Sequence, residues 1–245
     1  MILNSIKKFI FPSRCIVCDE VLPYGFDLEN EYLCEACRKK IEFIKEPTCK
    51  KCGAMINRED GAYCIRCEGN MHKSFEYGFG LLRYNEFIKE SLHRIKYSGR
   101  KEYLDFYGKC IAKVHKNKFK EIAPDCLVPV PIHANRLRER NYNQAEVLSE
   151  AISKELLNFG IDIPVNKELI YRKKDTKVLN KLDSVDRGSE LQGAFYIEDA
   201  SFLDKVIIVD DIYTTGATIS SMAEALKKAG VREVYFVTVA IVDNL

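Results

Sequence analysis

Three sets of side chains in this 245-residue sequence have the types and spacing for chemistry. The first is Asp210 and Asp211 with Thr214, Thr215, Gly216, Ala217 and Thr218, placed just after the apolar run 206–209. A turn of small residues entering a helix presents backbone N–H groups and the positive end of a helix dipole, and a phosphate fits such a turn. Gly216 removes the β-carbon where the backbone must approach a ligand or take positive φ, and the threonines add hydroxyl donors. The carboxylates would repel that phosphate. They suit another part of the same ligand, either neighbouring sugar hydroxyls or a magnesium ion held partly through water. A ligand carrying a ribose 5-phosphate satisfies both halves, whereas the bland alternative is a solvated strand end beside a helix cap.

The second set is Arg136, Arg138 and Arg140, which follow the proline-stiffened run 126–132 (CLVPVPI). Planar guanidinium groups match the oxygens of phosphate or pyrophosphate, and a solvated basic surface is the alternative. The third set is eight of the ten cysteines, arranged as Cys15/Cys18, Cys34/Cys37, Cys49/Cys52 and Cys64/Cys67. Two thiolates two residues apart reach one ion from a tight turn, and two such turns complete a tetrahedral site. Fifteen residues separate the first two pairs and eleven the last two. The spacing therefore predicts two structural zinc ions rather than a redox dithiol or an iron–sulfur cluster. One ion per consecutive pair of turns is the expectation, and a cross-braced arrangement, with the first and third pairs sharing an ion, is the alternative. His72 reads as a surface residue, and Cys110 and Cys126 as buried apolar ones.

Elements of alternating type must hold these groups. Residues 206–209 read as a strand buried on both faces, and 77–84, 126–132, 169–172, 193–197 and 231–242 as further strands. Helical periodicity follows between them, over 87–97, 102–118, 144–158 and from the threonine turn to Gly230. Strands alternating with helices predict a doubly wound α/β fold whose parallel sheet is flanked by helices, with ligands beyond the carboxyl ends of the strands. Residues 172–186 lack a core pattern and read as a loop able to close over a ligand. A composition change near residue 70 divides the chain into a small zinc-binding domain, 1–70, and a second domain, 71–245. Such a short cysteine-rich segment has few large aliphatics and needs its metal to fold.

A hydrophobic fraction of 47% supports a real core, and a formal charge of +2 gives no global pull toward nucleic acid. No apolar run approaches a bilayer span. Residues 2–11 read as a short helix packed on the body, and a cytoplasmic protein is expected.

Two acids after a strand, then T-T-G-x-T, resemble the phosphoribosyl pyrophosphate (PRPP) loop of type I phosphoribosyltransferases. With four Cys-x-x-Cys pairs, VPVPI, R-L-R-E-R-x-Y-N-Q, R-x-x-x-T and G-A-F, nearly the whole chain is similar to the ComF family of competence-associated proteins. The resemblance implies a type I phosphoribosyltransferase-like domain behind a double zinc ribbon. By position, Asp210 and Asp211 would meet the ribose hydroxyls, residues 214–218 the 5-phosphate, and Arg136, Arg138 and Arg140 the pyrophosphate. Departures from the family pattern stand at Asn141, Asn180 and Glu190. Thr214 occupies the position where hypoxanthine-type transferases keep an aspartate, which disfavours that chemistry.

The function so implied is PRPP binding, with Mg²⁺, in a protein that handles internalised single-stranded DNA during natural transformation alongside other competence proteins. The alternative is a nucleotide-salvage transferase in which an acceptor displaces pyrophosphate from PRPP, with acceptor and catalytic residues unassigned. Basic and aromatic residues interleaved at 93–97 and 171–174 have a composition suited to single-stranded DNA, although solvated faces look the same.

Overall fold

A computed structural model describes residues 12–22, 32–57, 62–69, 73–172, 195–197 and 199–243. The expected N-terminal helix, His72, the closing loop beyond Arg172, Asn180 and Glu190 lie outside them.

Four strands form the central sheet: β1 (Gly78–Arg83), β2 (Cys126–Pro129), β5 (Lys205–Tyr213) and β6 (Glu233–Ile241). Their spatial order is β1-β6-β5-β2, and every pairing is parallel. β5 is central because its residues Val206, Ile207, Ile208 and Val209 are all fully buried. Alternate members face opposite sides of a strand. Ile207 and Val209 join one apolar cluster, and Val206 and Ile208 the other. Burying each such side chain stabilises the fold by roughly 1.5–3 kcal/mol.

The first cluster is closed by three helices, α3 (Glu86–Tyr97), α4 (Glu102–Ile122) and α6 (Gln144–Asn158). The second is closed by α7 (Ala217–Lys228). Boundaries follow capping chemistry. Asn85 accepts a hydrogen bond from the Ile88 N–H at the start of α3, and Asn143 accepts one from Ala145 at the start of α6. α4 runs past the expected residue 118 and stops where Ala123 turns left-handed before Pro124. The doubly wound arrangement expected from the alternation is present. The expected strands at 169–172 and 193–197 take another course. Among the described residues they contribute β3 (Tyr171–Arg172) and β4 (Phe195–Tyr196), a short antiparallel ribbon outside the main sheet.

Two single-turn helices carry cysteines, α1 (Glu35–Arg38) and α2 (Ile65–Glu68). The cysteine-bearing segment packs closely on the sheet. The Ile44 N–H donates to Leu81 O at 3.0 Å, the Arg83 N–H donates to Glu42 O at 2.8 Å, and Phe43 bridges Leu82 antiparallel. Residues 42–44 thus cover the edge that β1 would otherwise expose. Among the described residues no helix is long and apolar enough to cross a membrane.

Candidate functional site

At the carboxyl ends of β1 and β5 lies a cleft of about 480 Å³. Its floor and one wall come from Asp210, Tyr213 and residues 214–219, and its other walls from α3 and from α5 (Ala134–Arg140). Ligands of open α/β sheets bind at this position.

The two acids part company. Neighbouring residues on a strand point to opposite faces. Asp210 lines the cleft and is partly exposed, while Asp211 is 6% exposed and ion-paired to the Lys96 ammonium of α3. Asp210 Oδ1 also accepts the Asp211 N–H at 2.8 Å. Burial, and then the charge of Asp211, raise Asp210 well above the ordinary carboxylate range. Burial acts in the same direction on Asp211, but the Lys96 ammonium and the hydrogen bonds around it prevail and hold that group low. One acid therefore faces the cleft, and its neighbour anchors α3.

The threonine turn has the form its sequence predicts. Gly216 adopts φ 80°, the left-handed region, and caps α7, and its carbonyl accepts the Ser220 N–H at 2.8 Å. Thr215 Oγ1 accepts the Ala217 N–H at 3.4 Å, and Thr214 is exposed at the rim. The first N–H groups of a helix lack intrahelical partners, so this end of α7 offers donors to an anion in the cleft. A β-carbon on Gly216 would lie 2.4 Å from the Tyr213 hydroxyl oxygen, so only glycine fits.

The expected arginine loop is a helix. Residues 134–140 lack a breaker, and Asn141 ends α5 at φ 64°. Asparagine tolerates that conformation, which accounts for its standing where the family pattern has glycine. Arg136 and Arg140, four apart and hence on one face, both line the cleft. Arg138 is exposed and is not part of the lining. Arg140 donates to Gln144 Oε1 at 3.2 Å and to the Tyr97 hydroxyl at 3.3 Å, with its guanidinium 5.2 Å from the Tyr97 ring centre. Glu139 adds a second carboxylate to the same wall.

Sequence reasoning did not place α3 at the site. Ile88, Leu92 and Ile95 are its buried stripe, and Lys89, His93, Lys96 and Tyr97 form the adjacent stripe along the cleft. That second stripe was legible as 89, 93, 96 and 97, one helical face, but nothing in the sequence aimed it at β5. It also changes the reading of residues 93–97 as a basic surface. Lys96 is held by Asp211, and Arg94 donates to Val17 O at 2.7 Å and pairs with Glu90. Lys173 and Lys174 lie outside the described residues.

The cysteines form two groups, Cys15, Cys18, Cys34 and Cys37, and Cys49, Cys52, Cys64 and Cys67, each with its sulfurs within 4.8 Å of one another. Consecutive turns pair, and the cross-braced alternative is excluded. Tetrahedral zinc with Zn–S of about 2.3 Å places sulfurs about 3.8 Å apart. Cys18 and Cys34 stand at 3.8 Å and Cys52 and Cys64 at 3.6 Å, and all are free of disulfides. The donor set fits two structural zinc ions.

Both groups are tied to the second domain's elements, and the second reaches the cleft. Arg100 and Tyr103 bind Asp19 in the first knuckle. Beside the second, Lys73 donates to Cys67 Sγ at 3.6 Å and to the Tyr213 hydroxyl at 2.8 Å.

Comparison with known proteins agrees with this architecture. The model of a double zinc ribbon domain matches residues 6–68, and that of a phosphoribosyl transferase domain matches residues 145–244. Competence protein F of Haemophilus influenzae is 28% identical over 236 residues, covering 91% of this chain and 95% of that protein. Competence protein ComFC of Streptococcus pneumoniae is 27% identical over 241 residues, covering 90% and 96%. The DNA utilization protein YhgH of Escherichia coli is 24% identical over 222 residues, covering 89% and 92%.

Proposed function

We propose, taking as premise that the chain is a ComF-type protein with a double zinc ribbon and a phosphoribosyltransferase-like domain, that its cleft binds PRPP. Further, the protein handles single-stranded DNA in the cytoplasm during competence. The names of the relatives, competence and DNA utilization proteins, support the second half.

One observation carries the first half. The left-handed turn at Gly216, the carboxylate of Asp210 and the guanidinium groups of Arg136 and Arg140 meet in one cleft. Each suits one part of PRPP. The 5-phosphate takes the free N–H groups of α7, sugar hydroxyls donate to Asp210, and the pyrophosphate takes the arginines. Mg²⁺ bound with PRPP would be held at Asp210, partly through water, and would neutralise phosphate charge. Asp211 contributes by fixing Lys96 and with it the α3 wall.

Titration calorimetry with PRPP, ribose 5-phosphate and inorganic pyrophosphate tests this reading. All three should bind, PRPP most tightly, and replacing Asp210 and Asp211 together by alanine should abolish PRPP binding. Equal binding by the double variant would sink the assignment. Salt dependence of single-stranded DNA binding is the matching test of the second half, since phosphate contacts weaken steeply with salt.

A further inference from the structure

The second four-cysteine group lies one side chain from the phosphate turn. Lys73 is 9% exposed, and its ammonium lies 3.6 Å from Cys67 Sγ and 2.8 Å from the Tyr213 hydroxyl. No carboxylate pairs with it among the described residues. A buried ammonium is costly unless an anion accompanies it. Four thiolates around one Zn²⁺ carry two net negative charges, so a metal-loaded Cys67 supplies that anion.

Tyr213 is the other end of the bridge. It closes β5 immediately before the turn, is 1% exposed, and stacks on Phe236 with ring centres 4.7 Å apart at 7°. Its carbonyl accepts the Val242 N–H at 2.9 Å, so the backbone beneath the turn is fixed as well. The hydroxyl lies against Gly216, where a β-carbon would meet it at 2.4 Å. Gly216 in turn sets the direction of the α7 N–H groups. Tilting the Tyr213 ring would therefore move the turn.

We propose that Lys73 and Tyr213 are positioning residues that couple the second zinc site to the phosphate turn. Loss of metal at Cys49, Cys52, Cys64 and Cys67 then deprives Lys73 of its anion, releases the Tyr213 hydroxyl and loosens the grip on the 5-phosphate. The pyrophosphate end, held by Arg136 and Arg140 on a different element, is spared. This inference rests on the reading of the cleft as a PRPP site.

The test uses the full, zinc-loaded chain. Lys73→Met keeps the stem and removes the donor, and Tyr213→Phe removes only the hydroxyl, so the second variant answers the question if the first fails to fold. Both should weaken ribose 5-phosphate binding by about fivefold or more while leaving inorganic pyrophosphate binding unchanged, a split that general destabilisation would not produce. Zinc release to a chromogenic chelator should be faster for one of the two ions in Lys73→Met, by about tenfold. Because coupling is reciprocal, PRPP should slow release of that same ion in the unaltered protein. If the unaltered protein binds ribose 5-phosphate and the variants bind it equally well, the coupling is refuted and the site stands. If the unaltered protein binds neither ribose 5-phosphate nor PRPP, the site reading falls and the coupling with it.

Discussion

Replacing Asp210 by asparagine separates what the cleft costs the fold from what it does for a ligand. In the folded protein Asp210 is pushed well above its usual range by burial and by the charge of Asp211. At neutral pH its ionisation therefore opposes folding. Asparagine keeps the size, and its amide oxygen can still accept the Asp211 N–H that Asp210 Oδ1 accepts at 2.8 Å. Removing the charge should stabilise the chain by about 1–2 kcal/mol, within the range of favourable single substitutions. For a chain of this length that corresponds to a Tm rise of roughly 2–8 °C. The sign with pH is determined by linkage. The folded pKa of Asp210 lies above its unfolded value, so the penalty is absent below the unfolded value, grows as pH rises from there toward the folded value, and levels off above it. The advantage of the variant should vanish toward about pH 4, near the unfolded value, and should increase as the pH is raised above it. Differential scanning calorimetry of both proteins across that range gives the curve directly. The same substitution should weaken PRPP binding at least roughly tenfold, because it removes a charged acceptor. A variant that is no more stable at pH 8, or whose advantage persists unchanged at pH 4, would refute the argument.

Other expectations follow from the same geometry. Arg136→Ala and Arg140→Ala should each weaken pyrophosphate binding by roughly tenfold or more by calorimetry, whereas Arg138→Ala, outside the lining, should leave it unchanged. Lys96→Met strands the buried Asp211 carboxylate and should cost about 3–5 kcal/mol in urea unfolding, with most of the loss recovered in Lys96→Met/Asp211→Leu. Elemental analysis should find zinc filling both four-cysteine groups, and a strong chelator should unfold the turns that carry those cysteines and with them the cover over the edge of β1.

Much of this architecture could be read from residue types alone. The run 206–209 announced a doubly buried strand because no polar residue interrupts it, and T-T-G-A-T announced a tight strand-to-helix turn because only glycine suits that cap. The cysteine spacing determined ligand number but not pairing, since both pairings have the same local turns, and the sulfur positions decide between them. The fates of Asp210 and Asp211 were hidden because adjacency in sequence conceals the alternation of a strand, and Lys96 lies far away in the chain. The arginines looked like a loop because prolines precede them, yet residues 134–140 contain nothing to stop a helix. The contacts of Lys73 were invisible in the sequence. A single lysine after a cysteine pair gives no signal until Tyr213 is placed beside it.

The central claim is that one cleft takes both ends of PRPP, and a crystal structure of the zinc-loaded protein with PRPP tests it most directly. The account predicts the 5-phosphate at the N-terminus of α7 beside Gly216, a ribose hydroxyl on Asp210, and the pyrophosphate between Arg136 and Arg140. PRPP bound elsewhere, or bound here with its pyrophosphate on the Gly216 turn, would contradict it.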